Sequence, residues 1–373
     1  MIGDSISRRT AIKLGAAATL TTLHLPRMVI PAVQAKDTLN ISVSSYRLDR
    51  TAALFDGRVP IKGCDPTFHE DAIGDMNTAA FSGQGNRHIT EIGLHPYMLA
   101  YANDGFRDYA LLPIFLLRQF RHKSVFVRTD KNITQPQDLK GRRVGTPGYS
   151  STSLTWIRGI FEDEYRISPK DVEWVIAAGD SSAKEAGKIS EQESRIPEGV
   201  RIVNGPEGMD ESDLLVNGQV DALFHAATPK AFLENHPIVA RLFPDYRATE
   251  QEYYGRTGIF PIMHVLAIRR DVASDNPWLA GAVFEAYSGA KKIAYQTKDR
   301  LTWVTDMLPW YSQELENTRA IMGNNFYPYG IAPNRKTLGT LFSYSHRQGL
   351  ASRKLTIDEL FLPGTLEFDE DKI

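Results

Sequence analysis

Cysteine is nearly absent from this chain: Cys64 stands alone among 373 residues. No internal disulfide can form, and no C-x-x-C pair is available for redox chemistry or zinc. H-E-x-x-H and other paired-histidine spacings are also missing, so no metal motif can be read from the sequence. Neither G-x-G-x-x-G nor G-x-x-x-x-G-K-[ST] occurs, which leaves nucleotide binding without a phosphate loop. G-x-S-x-G is missing as well, and with it the nucleophile elbow of α/β-hydrolases. No apolar run approaches the ~20 residues that cross a bilayer. A surplus of positive charge is lacking too: the formal net charge is −2, which gives nucleic acid or an anionic membrane no electrostatic footing.

The N-terminus does carry a pattern. Ser7-Arg8-Arg9-Thr10-Ala11-Ile12-Lys13 precedes a 12-residue apolar run, Leu14 to Leu25, and a small-residue exit at Val33-Gln34-Ala35. Paired arginines before a short, weakly apolar core predict a cleaved twin-arginine export signal over residues 1–35 and a periplasmic mature protein with no membrane anchor. The signal holds four of the 43 basic and one of the 45 acidic residues, leaving 39 against 44, a net charge of −5. The remaining 338 residues are too many for one ordinary core and suit two α/β domains. Cys64 lies too far from the cleavage point to accept a lipid.

Strand signals fall at Leu39–Ser44, Leu111–Leu117 and Ser124–Arg128, read as strands of a first domain. A polar stretch with a turn at Lys140-Gly141 enters a short strand at Arg143–Gly145. Pro147 to Thr152 then precede a helical pattern with Leu154, Ile157, Ile160 and Phe161 on one face. Val172–Ile176 and Ala222–His225 continue the alternation. Met263 to Ile268 is a continuous apolar run of the kind expected for a buried parallel strand. Asn276 with Pro277 predicts a helix start, as does Asn334 after Pro333 for a helix stopping at Gly349, and Thr356 with Glu359 has capping-box spacing. The expected organisation is two lobes, residues 36–128 with 261–373 and residues 129–260, with crossovers near 128 and 260.

Asp138 to Tyr149 (D-L-K-G-R-R-V-G-T-P-G-Y) resembles the crossover element of periplasmic type II solute-binding proteins. Phe120–Arg128 (F-R-H-K-S-V-F-V-R), Arg256–Arg270 (R-T-G-I-F-P-I-M-H-V-L-A-I-R-R), Trp310–Gly330 and Ala332–Leu362 resemble the 4,5-dihydroxyphthalate decarboxylase family, and the similarity runs from about Glu91 to Leu366. The resemblance implies an α/β type II binding-protein fold in which each lobe is a mixed sheet flanked by helices. One branch of that superfamily decarboxylates an aromatic ring with no known organic cofactor. An export signal sets this chain apart from the cytoplasmic namesake. A thiamine-pyrimidine synthase, from the wider superfamily, is disfavoured because it would need a cysteine-rich motif.

Residues suited to a carboxylate cluster in three places. Gly148 to Thr152 hand a strand to a helix N-terminus, where free amides and the Ser150, Ser151 and Thr152 hydroxyls, beside Tyr149, can converge on an anion; an ordinary N-cap would need only one of them. Arg118, Arg121 and His122 form a basic cluster before the first crossover, and on an extended chain Arg121 and Lys123 share one face while Phe120 and His122 take the other. Solvated surface charge is the competing reading. His95, in a loop after a possible strand, and Arg256 and Thr257, before the second crossover, are further ligand candidates. His264, at the second crossover, is either a neutral core histidine or, with His122, a general acid. The function expected from these features is an exported ABC-type substrate-binding protein that closes on a small anionic aromatic carboxylate and passes it to an ABC permease. The alternative is a 4,5-dihydroxyphthalate decarboxylase-like lyase that releases CO₂ from a hydroxylated aromatic acid; no cofactor and no metal-ligating residues are expected.

Overall fold

A computed structural model describes residues 38–83, 87–187, 189–301 and 307–372. The twin-arginine segment lies outside the described residues. Among them, no helix is long and apolar enough to cross a membrane.

Eleven strands build two sheets. The first contains β1 (Leu39–Ser44), β2 (Cys64–His69), β3 (Ile89–Gly93), β4 (Tyr109–Arg118) and β11 (Ile262–Arg269), in the order β2-β1-β3-β11-β4. The second contains β5 (Val125–Arg128), β6 (Arg143–Thr146), β7 (Glu173–Ile176), β8 (Ile202–Asn204), β9 (Ala222–Phe224) and β10 (Val239–Arg241), in the order β10-β5-β9-β6-β7-β8. β1 runs parallel to both β2 and β3, and β6 runs parallel to both β7 and β9. This mixed α/β arrangement is the two-lobe type II binding-protein fold.

Three local expectations are corrected. The apolar run at Met263–Ile268 forms β11, but β11 is antiparallel to both neighbours, β3 and β4. Its residues are buried on both faces, which produces the same apolar text in either direction. β5, read as a first-domain strand, pairs with β9 and β10. The chain therefore leaves the first sheet between Arg118 and Val125, and the amide of Gln119 in this crossover donates to Pro261 O of the return crossover at 3.1 Å. Asn276 is not the N-cap of the following helix but the C-cap of the preceding one, Arg270–Asp275, its side-chain amide donating to Val272 O at 3.2 Å.

Three helices set the geometry of the space between the sheets: α1 (Ile73–Phe81), α2 (Leu94–Asn103) and α3 (Thr152–Tyr165). Ser151 caps α3, its hydroxyl accepting from the Leu154 amide at 3.3 Å. Every residue from Thr152 to Phe161 is buried, because α3 is shared between two cores. Trp156 and Ile160 pack with Tyr97, Ile262 and Tyr344 on one side; Leu154, Ile157 and Phe161 pack with Val144, Trp174 and Phe224 on the other. Trp156 Nε1 donates to Ile262 O at 3.0 Å, tying the helix to β11. Gly159 lets α3 meet α6 (Arg335–Arg347), since a Cβ there would lie 2.1 Å from the Tyr344 ring. α5 (Leu279–Leu301) covers the other face of the first sheet with Leu279, Val283, Phe284 and Tyr287. α4 (Tyr246–Thr257) leads into the return crossover.

Candidate functional site

Parallel strands end with their loops on one side, and loops there line crevices in open α/β sheets. Here the loops after β1, β6, β7 and β9 contribute Tyr46, Gly148, Asp180 and Ala226, and the end of β3 contributes Gly93, to one cavity of about 450 Å³. The first crossover adds Gln119, Arg121 and Lys123, the start of α3 adds Ser151, Thr152 and Ser153, and β11 adds His264.

The basic side is built at the crossover. Phe120 stacks on Phe260 with ring centroids 4.6 Å apart, and His122 is enclosed by Tyr165, Phe243 and Tyr253. Arg121 and Lys123 point the opposite way and line the cavity. Arg121 is only 3% exposed, and its Nη1 donates to Ala226 O at 2.8 Å while Nε has no partner among the described residues. Burial pulls its pKa down to about 9, Glu250 opposing. Burial and the neighbouring Arg121 lower Lys123 as well. A buried guanidinium with a free N–H edge is a ready partner for a carboxylate.

The helix N-terminus supplies less than the sequence suggests. The amides of Tyr149 and Ser150 already donate to Glu193 O at 3.3 and 3.0 Å, and Thr152 Oγ1 accepts from the His95 amide at 3.0 Å. Ser150 Oγ donates to Gln192 O at 2.8 Å, which turns it away from the cavity. The amides of Thr152 and Ser153, in the first helical turn, have no partner in the described chain and belong to cavity-lining residues.

His264 forms the opposite wall. Its Nδ1 lies 2.7 Å from Glu91 Oε1, and its ring lies nearly parallel to Tyr46 with centroids 6.1 Å apart. A carboxylate oxygen can only accept, so Nδ1 carries the proton and Nε2 is left on the cavity side. Asn77 joins the two halves: its Oδ1 accepts from the Gly93 amide at 2.9 Å and its Nδ2 lies 3.5 Å from Glu193 Oε2. Burial raises the Glu193 carboxyl.

A second cluster, Asp180, Glu211 and His225, brings three potential metal donor atoms within 4.8 Å of one another beside the cavity. His225 Nε2 lies 3.3 Å from Asp180 and 3.2 Å from Glu211, while the Ala227 amide N–H points at Nδ1 from 3.0 Å. A metal-bound imidazole donates its outer N–H to an acceptor; here that nitrogen faces a donor, so the ring is not set up as a metal ligand. Instead Nε2–H lies between the two carboxylates while Nδ1 accepts from the Ala227 amide, the arrangement of a ring held in place by its neighbours.

Of the residues proposed from sequence, Arg121, Ser151, Thr152 and His264 share the cavity, and the others lie elsewhere. Arg118 is buried beneath Phe260, donating to Pro328 O at 2.8 Å and to Asn334 Oδ1. His95 is not in a loop but opens α2, locked between Ser150 O at 2.6 Å and Ser345 Oγ at 2.8 Å, with burial pushing it down to about 3. Burial likewise pushes His122 down to about 4, a neutral ring sealed from the cavity. Tyr149 is buried with the Arg158 guanidinium 3.8 Å over its ring. Arg256 is exposed and pairs with Glu164, and Thr257 Oγ1 donates to Tyr253 O at 2.7 Å at the end of α4. Sequence reading gave no role to Glu91, Asn77, Glu193 or the His225 cluster. Only Glu91 left a signal, as a charge within the otherwise apolar strand Ile89–Gly93.

Three comparisons bear on this cavity. Residues 101–190 match the family described as NMT1/THI5 like. The chain is 37% identical over 333 residues to a 4,5-dihydroxyphthalate decarboxylase of Comamonas testosteroni, covering 89% of this chain and 98% of that one. It is 32% identical over 224 residues to a 4,5-dihydroxyphthalate decarboxylase of Pseudomonas putida, covering 60% of this chain and 84% of that one. Among solved structures, the periplasmic sulfonate-binding protein SsuA of Methylobacillus flagellatus superposes with a TM-score of 0.53 at 14% identity, covering 89% of this chain and 93% of that one.

Proposed function

The chain belongs to the 4,5-dihydroxyphthalate decarboxylase family, and from that premise we propose that its cavity removes CO₂ from a hydroxylated aromatic dicarboxylate of the 4,5-dihydroxyphthalate type. The observation that carries this reading is the pairing, in one cavity, of an anion-binding wall at Arg121 with a histidine whose Nε2 is presented by a buried carboxylate.

The chemistry follows from these groups. Arg121, Lys123 and the first-turn amides of α3 would hold one carboxylate and fix the ring. The carboxylate to be lost sits on a carbon para to a ring hydroxyl. Protonation of that carbon by His264 Nε2–H draws electron density from the hydroxyl oxygen into the ring. The C–C bond then breaks, its electron pair restores aromaticity, and CO₂ leaves uncharged. Solvent returns a proton to His264, so each turnover consumes one proton and yields 3,4-dihydroxybenzoate from 4,5-dihydroxyphthalate. A well-placed acid contributes about 10²–10⁴-fold. The apolar side chains of Leu48, Ile73, Leu117 and Ile189, which also line the cavity, limit solvation of the departing carboxylate.

Transport, preferred on sequence alone, gives way to catalysis because both curated relatives are decarboxylases. The Arg8-Arg9 leader and the binding-protein fold still support export and capture of an aromatic carboxylate for a permease. Purified mature protein separates the two readings. Decarboxylation predicts CO₂ and 3,4-dihydroxybenzoate over many turnovers; saturable binding with no product would leave capture for transport.

A further inference from the structure

Glu91 is an acidic residue with no solvent exposure, placed on a central strand. No Lys or Arg pairs with it among the described residues. Three donors surround its carboxylate: His264 Nδ1 at 2.7 Å on Oε1, and Ser45 Oγ at 2.7 Å with the Tyr46 amide at 3.0 Å on Oε2. The register explains the meeting. Glu91 of β3 stands opposite Leu266 of β11, and His264 lies two residues along β11, on the same face of the sheet. A buried carboxylate is costly unless its partners are fixed, and the only one of these partners that can change charge is the histidine on the cavity wall.

We propose that Glu91 is a positioning residue that fixes the tautomer and orientation of His264, so that the proton exchanged with substrate is the one on Nε2. The proposal rests on the decarboxylase reading of the cavity. Oε1 accepts the Nδ1–H hydrogen bond in both the neutral and the charged ring, which reserves Nε2 for chemistry. Tyr46 confines the ring from its face and is itself held by the Ile73 amide, which donates to its hydroxyl at 2.9 Å. Ser45 and the Tyr46 amide orient the carboxylate, as a third group orients the base in hydrolytic triads.

Glu91→Gln gives a sharp test, because the Tyr46 amide can only donate. The glutamine oxygen must take the Oε2 position, which turns its NH₂ toward His264 Nδ1. Nδ1 must then accept, the ring proton moves to Nε2, and protonating both nitrogens would set N–H against N–H. Nitrogen NMR of the resting protein, at a pH where the ring is neutral, should show the His264 proton on Nδ1 in wild type and on Nε2 in Glu91→Gln. Turnover should fall about 10²–10⁴-fold, the range seen when an orienting carboxylate or general acid is lost, with KM within about threefold. Glu91→Asp, which keeps the charge, should retain the Nδ1–H tautomer and recover part of the turnover. An unchanged tautomer in Glu91→Gln, or a kcat within about threefold of wild type, would overturn the assignment. If wild type releases no CO₂, the decarboxylase reading falls, and the NMR comparison alone still decides whether Glu91 sets the ring.

Discussion

Replacing Arg121 with methionine should raise the stability of the free protein while weakening its hold on an aromatic carboxylate. The guanidinium is 3% exposed, one N–H is committed to Ala226 O, and Nε has no partner among the described residues. Burial lowers its pKa to about 9; at about 1.4 kcal/mol per pH unit the drop from the ordinary guanidinium value caps the desolvation cost at roughly 5 kcal/mol. Water entering the open cavity screens the charge, so the gain expected on removing it is about 1–2 kcal/mol. For a domain of this size that corresponds to about 1–4 °C in melting temperature. Binding moves the other way, because a desolvated pair with a ligand carboxylate contributes about 2–5 kcal/mol, or a 30-fold or larger rise in Kd. Thermal melts with and without 4,5-dihydroxyphthalate, together with a binding titration, read both effects on one sample. The reasoning is refuted if Arg121→Met keeps wild-type affinity, and the stability argument fails if the free variant melts several degrees lower.

His122→Phe should stabilise the fold by about 1–2 kcal/mol and leave turnover intact, because both ring nitrogens lack partners among the described residues and sit within an aromatic cage. The same variant should blunt acid unfolding. The unfolded ring takes up a proton below about 6.5 and the folded one only near 4, so this residue costs stability as pH falls through that window; melting curves from pH 7 to 4 measure it. Ser151→Ala removes the α3 cap and should cost about 1 kcal/mol in denaturant titrations. Gly159→Ala forces a Cβ against Tyr344 and should cost about 1–3 kcal/mol; wild-type stability in that variant would mean that α3 and α6 can separate freely.

Much of the chain's local structure could be read from sequence, since it is set by near neighbours. The β-branched run Leu39–Ser44 is β1 to the residue, the Leu154-Ile157-Ile160-Phe161 pattern lies in α3 although that helix is buried all round from Thr152 to Phe161, and Thr356 with Glu359 caps the helix Ile357–Leu360. Arg121 and Lys123 do share the cavity side, but His122–Ser124 is a 3-10 turn and not the extended chain that the alternation Phe120-Arg121-His122-Lys123 assumes. Sheet partners were hidden, because β11 reads as apolar whether its neighbours run parallel or antiparallel. His95 reads as a loop residue because it follows a strand, yet β3 passes straight into α2, and Pro96 in the first turn is compatible with a helix. The largest gaps were contacts between distant segments. Glu91 meets His264 across 173 positions, and Glu193 fills the amides of Tyr149 and Ser150 from a segment with no periodic signal. Arg118 and Arg121, three residues apart, serve opposite sides of the crossover, and only the tertiary fold separates the structural arginine from the one that faces the cavity.

The central claim is that His264 delivers a proton to the ring carbon that loses its carboxylate. Its most direct test is turnover of 4,5-dihydroxyphthalate by the purified mature protein in D₂O, with proton NMR of the 3,4-dihydroxybenzoate formed. The account predicts one deuterium, at the vacated carbon only, with one CO₂ per product. His264→Asn should slow that exchange-coupled turnover by about 10²–10⁴-fold while leaving binding of the product unchanged. No product from wild type, or full turnover with deuterium incorporation in His264→Asn, would contradict it.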